Sequence, residues 1–147
     1  SQDERKRKTS HRPEKCSDVV TSKFMAHNED DDSSFVSLCY LLEDADNGYT
    51  AFTYPGQLAG NAFMWNRHGI VMSTNELSPS VWNVSGAGYY FVMRDILEAK
   101  SFDDAVARTT KFPALTGFAV NIGSVMVKEK KKNSLFYLSF SQSLIFF

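Results

Sequence analysis

The sequence predicts a domain of the α+β class, in which strands come first, two helices follow and one more strand comes last. Three observations predict it. Short apolar runs separated by turn residues occupy residues 16–77, a pattern typical of successive strands. Apolar residues then recur at helical spacing between positions 89 and 109. The run Leu115–Val127 indicates a final strand, with or without a turn at Gly123-Ser124.

The first predicted strands are short. Asp18–Val20 and Lys23–Ala26 are expected to be two strands joined at Thr21-Ser22, and a polar, acidic loop follows them. Phe35–Leu42 is apolar on both faces, which predicts a strand buried between two layers. Cys39 lies inside this run and is expected to be a small core residue.

Glycine turns mark the next strand and the hairpin after it. Asn47-Gly48 indicates a turn, and Tyr49–Tyr54 follows as a strand. Ala62–Trp65 and Ile70–Thr74 flank four residues that end in Gly69. This spacing predicts a β-hairpin whose glycine adopts a left-handed conformation.

Two amphipathic helices are predicted after this hairpin. The first carries one continuous apolar stripe, formed by Tyr89, Val92, Met93, Ile96 and Leu97. The second starts at Ser101, where Asp104 completes a pattern that resembles a capping box, and it ends before Pro113. Its inner face is predicted to consist of Phe102, Ala105, Val106 and Thr109.

Composition bounds the class of protein. The 147 residues suffice for one domain with a core, and the formal net charge of −1 indicates neither a nucleic-acid nor a membrane partner. No apolar run approaches the ~20 residues that a membrane-spanning helix needs. Two cysteines make no disulfide framework. No signal-peptide pattern is visible, so the compartment stays open with the cytoplasm slightly favoured, and the oligomeric state stays open with a homo-oligomer included.

Both ends of the chain differ in character from the middle. Residues 1–15 are polar and basic and are expected to be a disordered tail, with a nuclear-import or polyanion-binding patch as the alternative. The predicted domain covers residues 16–126. Residues 127–147 are first charged and then rich in Phe, Leu and Ser, and we expect them to be a disordered tail outside the domain.

Motifs spread over residues 16–123 resemble a known family. They are Cys16-Ser17-Asp18-Val19, His27-Asn28-Glu29-Asp30, Tyr54-Pro55-Gly56, Gly60-Asn61, Asn66-x-x-Gly69-Ile70, Asn75-x-Leu77, Arg94-Asp95-Ile96-Leu97-Glu98 and the strand near Phe118–Ile122. No single motif is specific. Their order and spacing resemble the N-terminal-nucleophile hydrolases that include the penicillin-forming isopenicillin N acyltransferase and the hydrolase of β-alanyl-dopamine.

This resemblance implies a fold and a chemistry. The fold is a four-layer αββα sandwich with two stacked antiparallel sheets, of which the chain holds an incomplete part. The activity is amide hydrolysis or acyl transfer through an acyl-cysteine intermediate, on small N-acyl amines or amino-acid conjugates such as β-alanyl amines. The family needs neither a metal nor an organic cofactor, and the expected partner is the small-molecule amide substrate.

The resemblance also assigns roles to four residues. Cys16 becomes an N-terminal nucleophile when the chain cuts itself before it, and the freed α-amine, with a pKa near that of a thiol, exchanges the proton. Asn75, near the end of the hairpin's second strand, holds the oxyanion and can contribute ~3 kcal/mol. Asp30 with Asn28 supports the amine. Residue types alone leave simpler roles open: an inert buried thiol, a satisfied strand-end amide and a solvated acidic loop.

Two further features bear on this chemistry. The family has Gly before the nucleophile, where a flexible backbone lets the thiol reach the preceding carbonyl, but this chain has Lys15. The rival expectation is therefore a truncated or mis-joined, non-catalytic fragment of such an enzyme. His27 could pair with Cys16 as in thiol proteases, but the family does not need a histidine. His27 with Glu29 and Asp30 matches no standard zinc or calcium spacing, so no metal site is expected.

Overall fold

A computed structural model of the protein describes residues 16–21, 24–77 and 81–125, together with the backbone of residues 136–142. Several expectations therefore lie outside the described residues. They concern the basic tail with Lys15, the joint at Ser22, and tail residues 126–135 and 143–147. Neither helix of the described part is long and apolar enough to cross a membrane.

The described chain consists of strands, two α-helices and a short 3-10 helix. The strands are β1 (Ser17–Val20), β2 (Met25–Asn28), β3 (Tyr40–Asp44), β4 (Tyr49–Thr53), β5 (Phe63–Asn66), β6 (Ile70–Leu77), β7 (Gly117–Ser124) and β8 (Phe136–Gln142). The helices are the 3-10 helix Ser33–Phe35, α1 (Tyr89–Leu97) and α2 (Phe102–Thr109). β1 pairs with β2, and β3 to β8 form one antiparallel sheet in chain order. The predicted α+β class is confirmed.

The helices cover one face of the six-stranded sheet. The predicted stripe of α1 is confirmed, because all five of its residues are buried. They belong to one core with inward side chains of β6 and β7, namely Ile70, Met72, Phe118, Val120 and Ile122. Ser101 caps α2 as predicted, since its hydroxyl accepts the N–H of Asp104 at 3.1 Å. The hydrophobic core therefore lies between the helices and the large sheet.

Asn66 and Gly69 shape the predicted hairpin between β5 and β6. Gly69 has a φ of 74°, the left-handed conformation that glycine adopts without steric cost. Asn66 is buried, and its Oδ1 accepts two N–H groups of the turn at 3.0 and 3.2 Å. Its Nδ2 donates to the carbonyls of Leu97 and Ala99, both at 2.8 Å. One amide thus ties the turn to the end of α1.

The hairpin of β1 and β2 lies on the opposite face of the large sheet. Side chains alternate across a strand, so Ser73 points away from the face on which its neighbour Met72 meets the helices. Ser73 is paired with Asn121 of β7, and both side chains reach Asp18 of β1. The helices, the large sheet and the hairpin of β1 and β2 are therefore stacked in this order. This order is compatible with an incomplete sandwich, and the four-layer arrangement stays a prediction.

The expected buried strand Phe35–Leu42 is wrong. The Asp32 carboxylate accepts the N–H of Ser34 at 2.8 Å and starts a 3-10 helix, and a turn separates this helix from β3. β3 is an edge strand with β4 as its single neighbour in the described sheet, and its Leu41 is 63% exposed. The apolar run suggested a strand buried on both faces, but this edge strand is not covered on both faces.

Cys39 is not a core residue either. It is half-buried and donates its S–H to the carbonyl of Phe35 at 3.1 Å, across the turn that ends the 3-10 helix. The second predicted strand is also displaced, since β2 covers Met25–Asn28 instead of Lys23–Ala26. β7 runs unbroken to Ser124, so it contains no turn at Gly123-Ser124.

β8 lies within the segment expected to be a disordered tail. Its backbone pairs with β7 along all seven residues, from Phe136 opposite Ser124 to Gln142 opposite Phe118. For these residues the structure differs from the expected disorder, because a segment rich in aromatic residues, in which Leu138 and Phe140 alternate with Ser139 and Ser141, suits a strand. The domain boundary expected after residue 126 stays a prediction.

Candidate active site

The register of β1 and β2 assembles most of the site. Asp18 and His27 lie directly opposite each other in the antiparallel pair. Two residues further along the same register, Cys16 comes opposite Glu29. Because alternate residues share a face of a strand, all four side chains lie on one side of the hairpin. This side faces the large sheet.

Asp18 is the point at which the hairpin meets the large sheet. One carboxylate oxygen accepts from Nδ1 of His27 at 2.9 Å, and the other accepts from Nδ2 of Asn121 at 2.9 Å and from Nδ2 of Asn75. Burial alone would raise the pKa of this carboxyl. Hydrogen bonds from Ser73, His27 and Asn75 outweigh burial and hold the pKa below its ordinary value. Asp18 is therefore an ionised acceptor shared by two sheets.

His27 is held between two carboxylates. Its Nδ1 lies 2.9 Å from Asp18 and its Nε2 lies 2.5 Å from Glu29, and only 3% of the side chain is exposed. Ionised carboxylates only accept, so both ring nitrogens carry protons. Burial lowers the pKa of the imidazole, but the bonds to Glu29 and Asp18 outweigh it and raise the pKa above its ordinary value. The ring is thus a buried cation.

The Cys16 thiol lies at the end of this network. Its sulfur accepts the backbone N–H of Asp30 at 3.1 Å. The sulfur, a ring nitrogen of His27 and a carboxylate oxygen of Glu29 lie within 4.8 Å of one another. Burial raises the pKa of the thiol, the Asp30 N–H lowers it, and the charges of Glu29 and Asp30 raise it, so the pKa lies above its ordinary value. The thiol is therefore protonated at neutral pH and needs a base to act as a nucleophile.

Asp30 contacts the thiol through its backbone, and Asn28 binds Asp30. Nδ2 of Asn28 donates to the Asp30 carboxylate at 3.1 Å, and both residues are exposed. The Asp30 carbonyl lies 3.6 Å from the Cys16 sulfur. The structure thus places the Asp30 backbone against the Cys16 sulfur and joins Asn28 to Asp30. The role of both residues toward an α-amine stays a prediction.

Asn75 belongs to the same network. It lies in β6, and its Nδ2 donates to Asp18. Because a carboxylate only accepts hydrogen bonds, the atom of the Asn75 amide that faces Asp18 is the nitrogen. This nitrogen has a second N–H to donate. Its Oδ1 is buried without a hydrogen-bond partner among the described residues. Asn75 is linked to the surroundings of the thiol through Asp18 and His27, and its oxyanion role stays a prediction.

A cavity of about 470 Å³ opens beside these residues. Glu29 and the acidic residues 30–32 form part of its lining, and the rings of Phe35, Phe52 and Tyr54 form another part. The Tyr54 hydroxyl donates to Glu29 at 2.6 Å. The Tyr54 ring packs edge-on against Phe35 and Phe52, each at 5.5 Å between centroids. Burial and the Glu29 carboxylate raise the pKa of Tyr54, so its hydroxyl stays a donor.

The sequence did not indicate Asp18, Tyr54 or Asn121 as parts of the site. The available signal was the two-residue spacing of Cys16 with Asp18 and of His27 with Glu29, which places each pair on one strand face. This signal was missed because the second strand was predicted too early in the chain. A joint at positions 21 and 22 sets Asp18 opposite residue 25, whereas in the structure Asp18 lies opposite His27. Asn121 gives no local signal, because only the pairing of β6 with β7 brings it to the site.

Comparison with known proteins identifies the family. The profile described as acyl-coenzyme A:6-aminopenicillanic acid acyl-transferase matches residues 17–137, which include β1 to β7 and both α-helices. No curated protein and no solved structure matches the chain. The matched profile supports acyltransferase or amide-hydrolase chemistry in broad terms. The chain belongs to the acyl-coenzyme A:6-aminopenicillanic acid acyl-transferase family.

Proposed function

We propose that Cys16 is the nucleophile of an amide hydrolase or acyltransferase that acts on small N-acyl amines or amino-acid conjugates. The observation that carries the proposal is the position of the sulfur. It contacts the Asp30 backbone and lies within 4.8 Å of ionisable groups of His27 and Glu29, and Glu29 also lines the cavity of about 470 Å³. Family membership supports the reaction class.

The reaction has two stages. The Cys16 thiolate attacks the amide carbonyl carbon, and the second N–H of Asn75 stabilises the negative oxygen of the tetrahedral intermediate. The C–N bond then breaks, and the amine leaves with a proton while the acyl group stays on sulfur. Water releases the acyl group in the hydrolase, and a second amine accepts it in the transferase.

The base in this proposal is the α-amine of Cys16. The raised pKa of the thiol means that a proton acceptor must lie close to it. Cleavage of the bond before Cys16 would create an amine there, and Asp30 with Asn28 would hold it. His27 is unsuited to this task, because both of its ring nitrogens already bind carboxylates.

The cavity supports a cationic substrate. Carboxylates at one part of its lining and three aromatic rings at another suit an ammonium group attached to an apolar or aromatic body. Amino-acid conjugates with a free amine, such as β-alanyl amines, have this chemistry.

The alternative is a non-catalytic fragment of such an enzyme. One observation favours it for the uncut chain: burial raises the pKa of the thiol, and the charges of Glu29 and Asp30 raise it further. Without an α-amine, neither neighbour helps to form the thiolate at neutral pH.

Mass spectrometry of the purified chain separates the two functions. An N-terminus at Cys16, followed by a covalent acyl adduct on Cys16 after incubation with an N-acyl amine, is expected for the enzyme. Cys16→Ser should form no adduct, and His68→Gln should form it normally, because His68 lies in the exposed turn between β5 and β6, outside the lining of the cavity. An intact chain that forms no adduct would overturn the proposal in favour of the fragment.

A further inference from the structure

The described residues contain a group of three side chains that combine thiol, imidazole and carboxylate. The ligand atoms of Cys16, His27 and Glu29 lie within 4.8 Å of one another. Thiolate, imidazole and carboxylate are the three ligand types that proteins offer to zinc. No metal site was expected from the spacing of His27, Glu29 and Asp30 in the sequence. In the structure, the third residue of the group is Cys16 and not Asp30.

We propose that Cys16, His27 and Glu29 bind one Zn²⁺ ion, and that this ion reversibly blocks the thiol. Three protein ligands with a fourth position open to water are typical of non-structural zinc sites. Binding would release two protons, one from the Cys16 thiol and one from the hydrogen bond between His27 and Glu29. The two negative ligands would then balance the charge of the ion.

The distances need only small adjustments. Zinc bonds of about 2.0–2.3 Å in a tetrahedral site place ligand atoms about 3.3–3.5 Å apart. Nε2 of His27 and Oε2 of Glu29 are now 2.5 Å apart and must open slightly, and the sulfur already lies within 4.8 Å of both groups. The change needed is therefore smaller than the reach of the Cys16 and Glu29 side chains.

Each ligand already has a partner that would orient it toward a metal. Nδ1 of His27 binds Asp18, which leaves Nε2 as the atom that faces the group. The second carboxylate oxygen of Glu29 accepts the Tyr54 hydroxyl at 2.6 Å. The Cys16 sulfur accepts the Asp30 N–H. Histidine bound to a carboxylate on its far nitrogen is the usual arrangement in zinc sites.

The charges of the group also favour a divalent cation. Asp18, Glu29 and Asp30 surround Cys16 and His27, and the single cation among these side chains is the protonated ring. A Zn²⁺ ion would take the place of the proton that now joins His27 and Glu29. The consequence for activity rests on the proposed function, because a thiolate that binds zinc cannot attack a carbonyl.

Cobalt spectroscopy of the full chain tests the ligands without any enzymatic assay. Co²⁺ alone should give a sulfur-to-metal charge-transfer band, and Cys16→Ser should abolish it. Cys39→Ser and His68→Gln are matched controls, since neither residue belongs to the group, and both should keep the band. A band that persists in Cys16→Ser, or one that is lost in Cys39→Ser, would overturn the site.

Zinc affinity gives the second measurement. Titration against a chromophoric chelator should show one Zn²⁺ per chain, and Cys16→Ser and His27→Gln should each weaken binding by about 100-fold or more, because each removes a ligand. Tyr54→Phe removes only the partner of Glu29, so it should weaken binding by about 10-fold and keep the cobalt band. Equal zinc affinity in the wild-type chain and Cys16→Ser would contradict the proposal.

Protection from alkylation needs no variant. Zn²⁺ should protect Cys16, but not Cys39, from iodoacetamide in the wild-type chain, as read by mass spectrometry of the peptides. Metal binding without amide hydrolysis would contradict the proposed function but not the zinc site. Amide hydrolysis with neither zinc binding nor zinc inhibition would contradict the zinc site but not the proposed function.

Discussion

Asp18 of β1 and Asn121 of β7 are joined by a hydrogen bond of 2.9 Å, although they are 103 positions apart in the chain. The bond attaches the outer hairpin to the polar face of the large sheet. Asn75 and His27 bind the same carboxylate. The geometry of the site therefore depends on one ionised side chain.

Replacing Asp18 with Asn should destabilise the protein by about 2–4 kcal/mol, because several buried donors lose a charged acceptor. Urea unfolding measures the change. Asp46→Asn is the matched control, since Asp46 is exposed in the turn between β3 and β4, and its free energy of unfolding should change little. Equal losses in the two variants would contradict the role given to Asp18.

Stability should be greatest in mildly acidic solution. The pKa of Asp18 lies below 3.8 and that of His27 lies above 6.5. The Asp18 contribution is lost as pH falls through its lowered folded pKa, and the His27 contribution is lost as pH rises through its raised folded pKa. Both contributions are fully present between about pH 4 and 6.5.

Urea unfolding across this range, with a chelator present, checks the prediction. The groups that face the ring are Asp18, Glu29 and the Cys16 thiol. His27→Gln should remove the decline in stability above pH 6.5, and His68→Gln, in an exposed turn, should keep it. A decline that survives in His27→Gln would assign it to another group.

Asn66→Ala should cost about 3 kcal/mol, because it leaves buried N–H and C=O groups of two elements without partners. Asn66→Asp keeps the acceptor for the turn and removes the donor to the Leu97 and Ala99 carbonyls. Chemical denaturation of both variants should show a clear loss for each. If the alanine variant were as stable as the wild-type chain, the link between hairpin and α1 would be unimportant.

Glu29→Gln should speed alkylation of Cys16 at neutral pH. The Glu29 charge helps to raise the pKa of the thiol, after the effect of burial, so its removal increases the thiolate fraction. We expect an increase of about threefold or more, since one pKa unit is a tenfold change in thiolate at pH well below the pKa. Mass spectrometry of the Cys16 peptide after timed exposure to iodoacetamide measures the rate.

Glu43→Gln serves as the control for this experiment. Glu43 is exposed on the edge strand β3 and has no part in the group around Cys16. Its removal should leave the rate of Cys16 alkylation unchanged. Acceleration of the same size in both variants would mean that net charge, and not the local carboxylate, sets thiol reactivity.

Local patterns predicted the parts of the fold that local physics decides. The stripe of α1, the Ser101 cap and the turn at Gly69 follow from spacing within a few residues, and the structure contains all three. The edge position of β3 was not predictable in this way, because apolar content does not tell which strands lack a neighbour.

The site shows the same division. The family resemblance alone grouped Asn28 and Asp30 with Cys16, and the structure brings the Asp30 backbone to the sulfur. The contacts of Asp18 with Asn75 and Asn121 depend on how the hairpin docks on the sheet, which no short segment encodes. The group of Cys16, His27 and Glu29 was not predicted as a metal site, because Cys16 lies on the β1 side of the hairpin and reaches the other two only through strand pairing.

The described residues of the β1–β2 hairpin contribute nothing to the buried core. Hydrogen bonds of Asp18 with Asn75 and Asn121, and of Glu29 with Tyr54, tie the site to the rest of the domain. Such an attachment can open locally while the helix-covered sheet stays folded. On heating, the hairpin should therefore detach before the large sheet unfolds, and it should dock again on cooling.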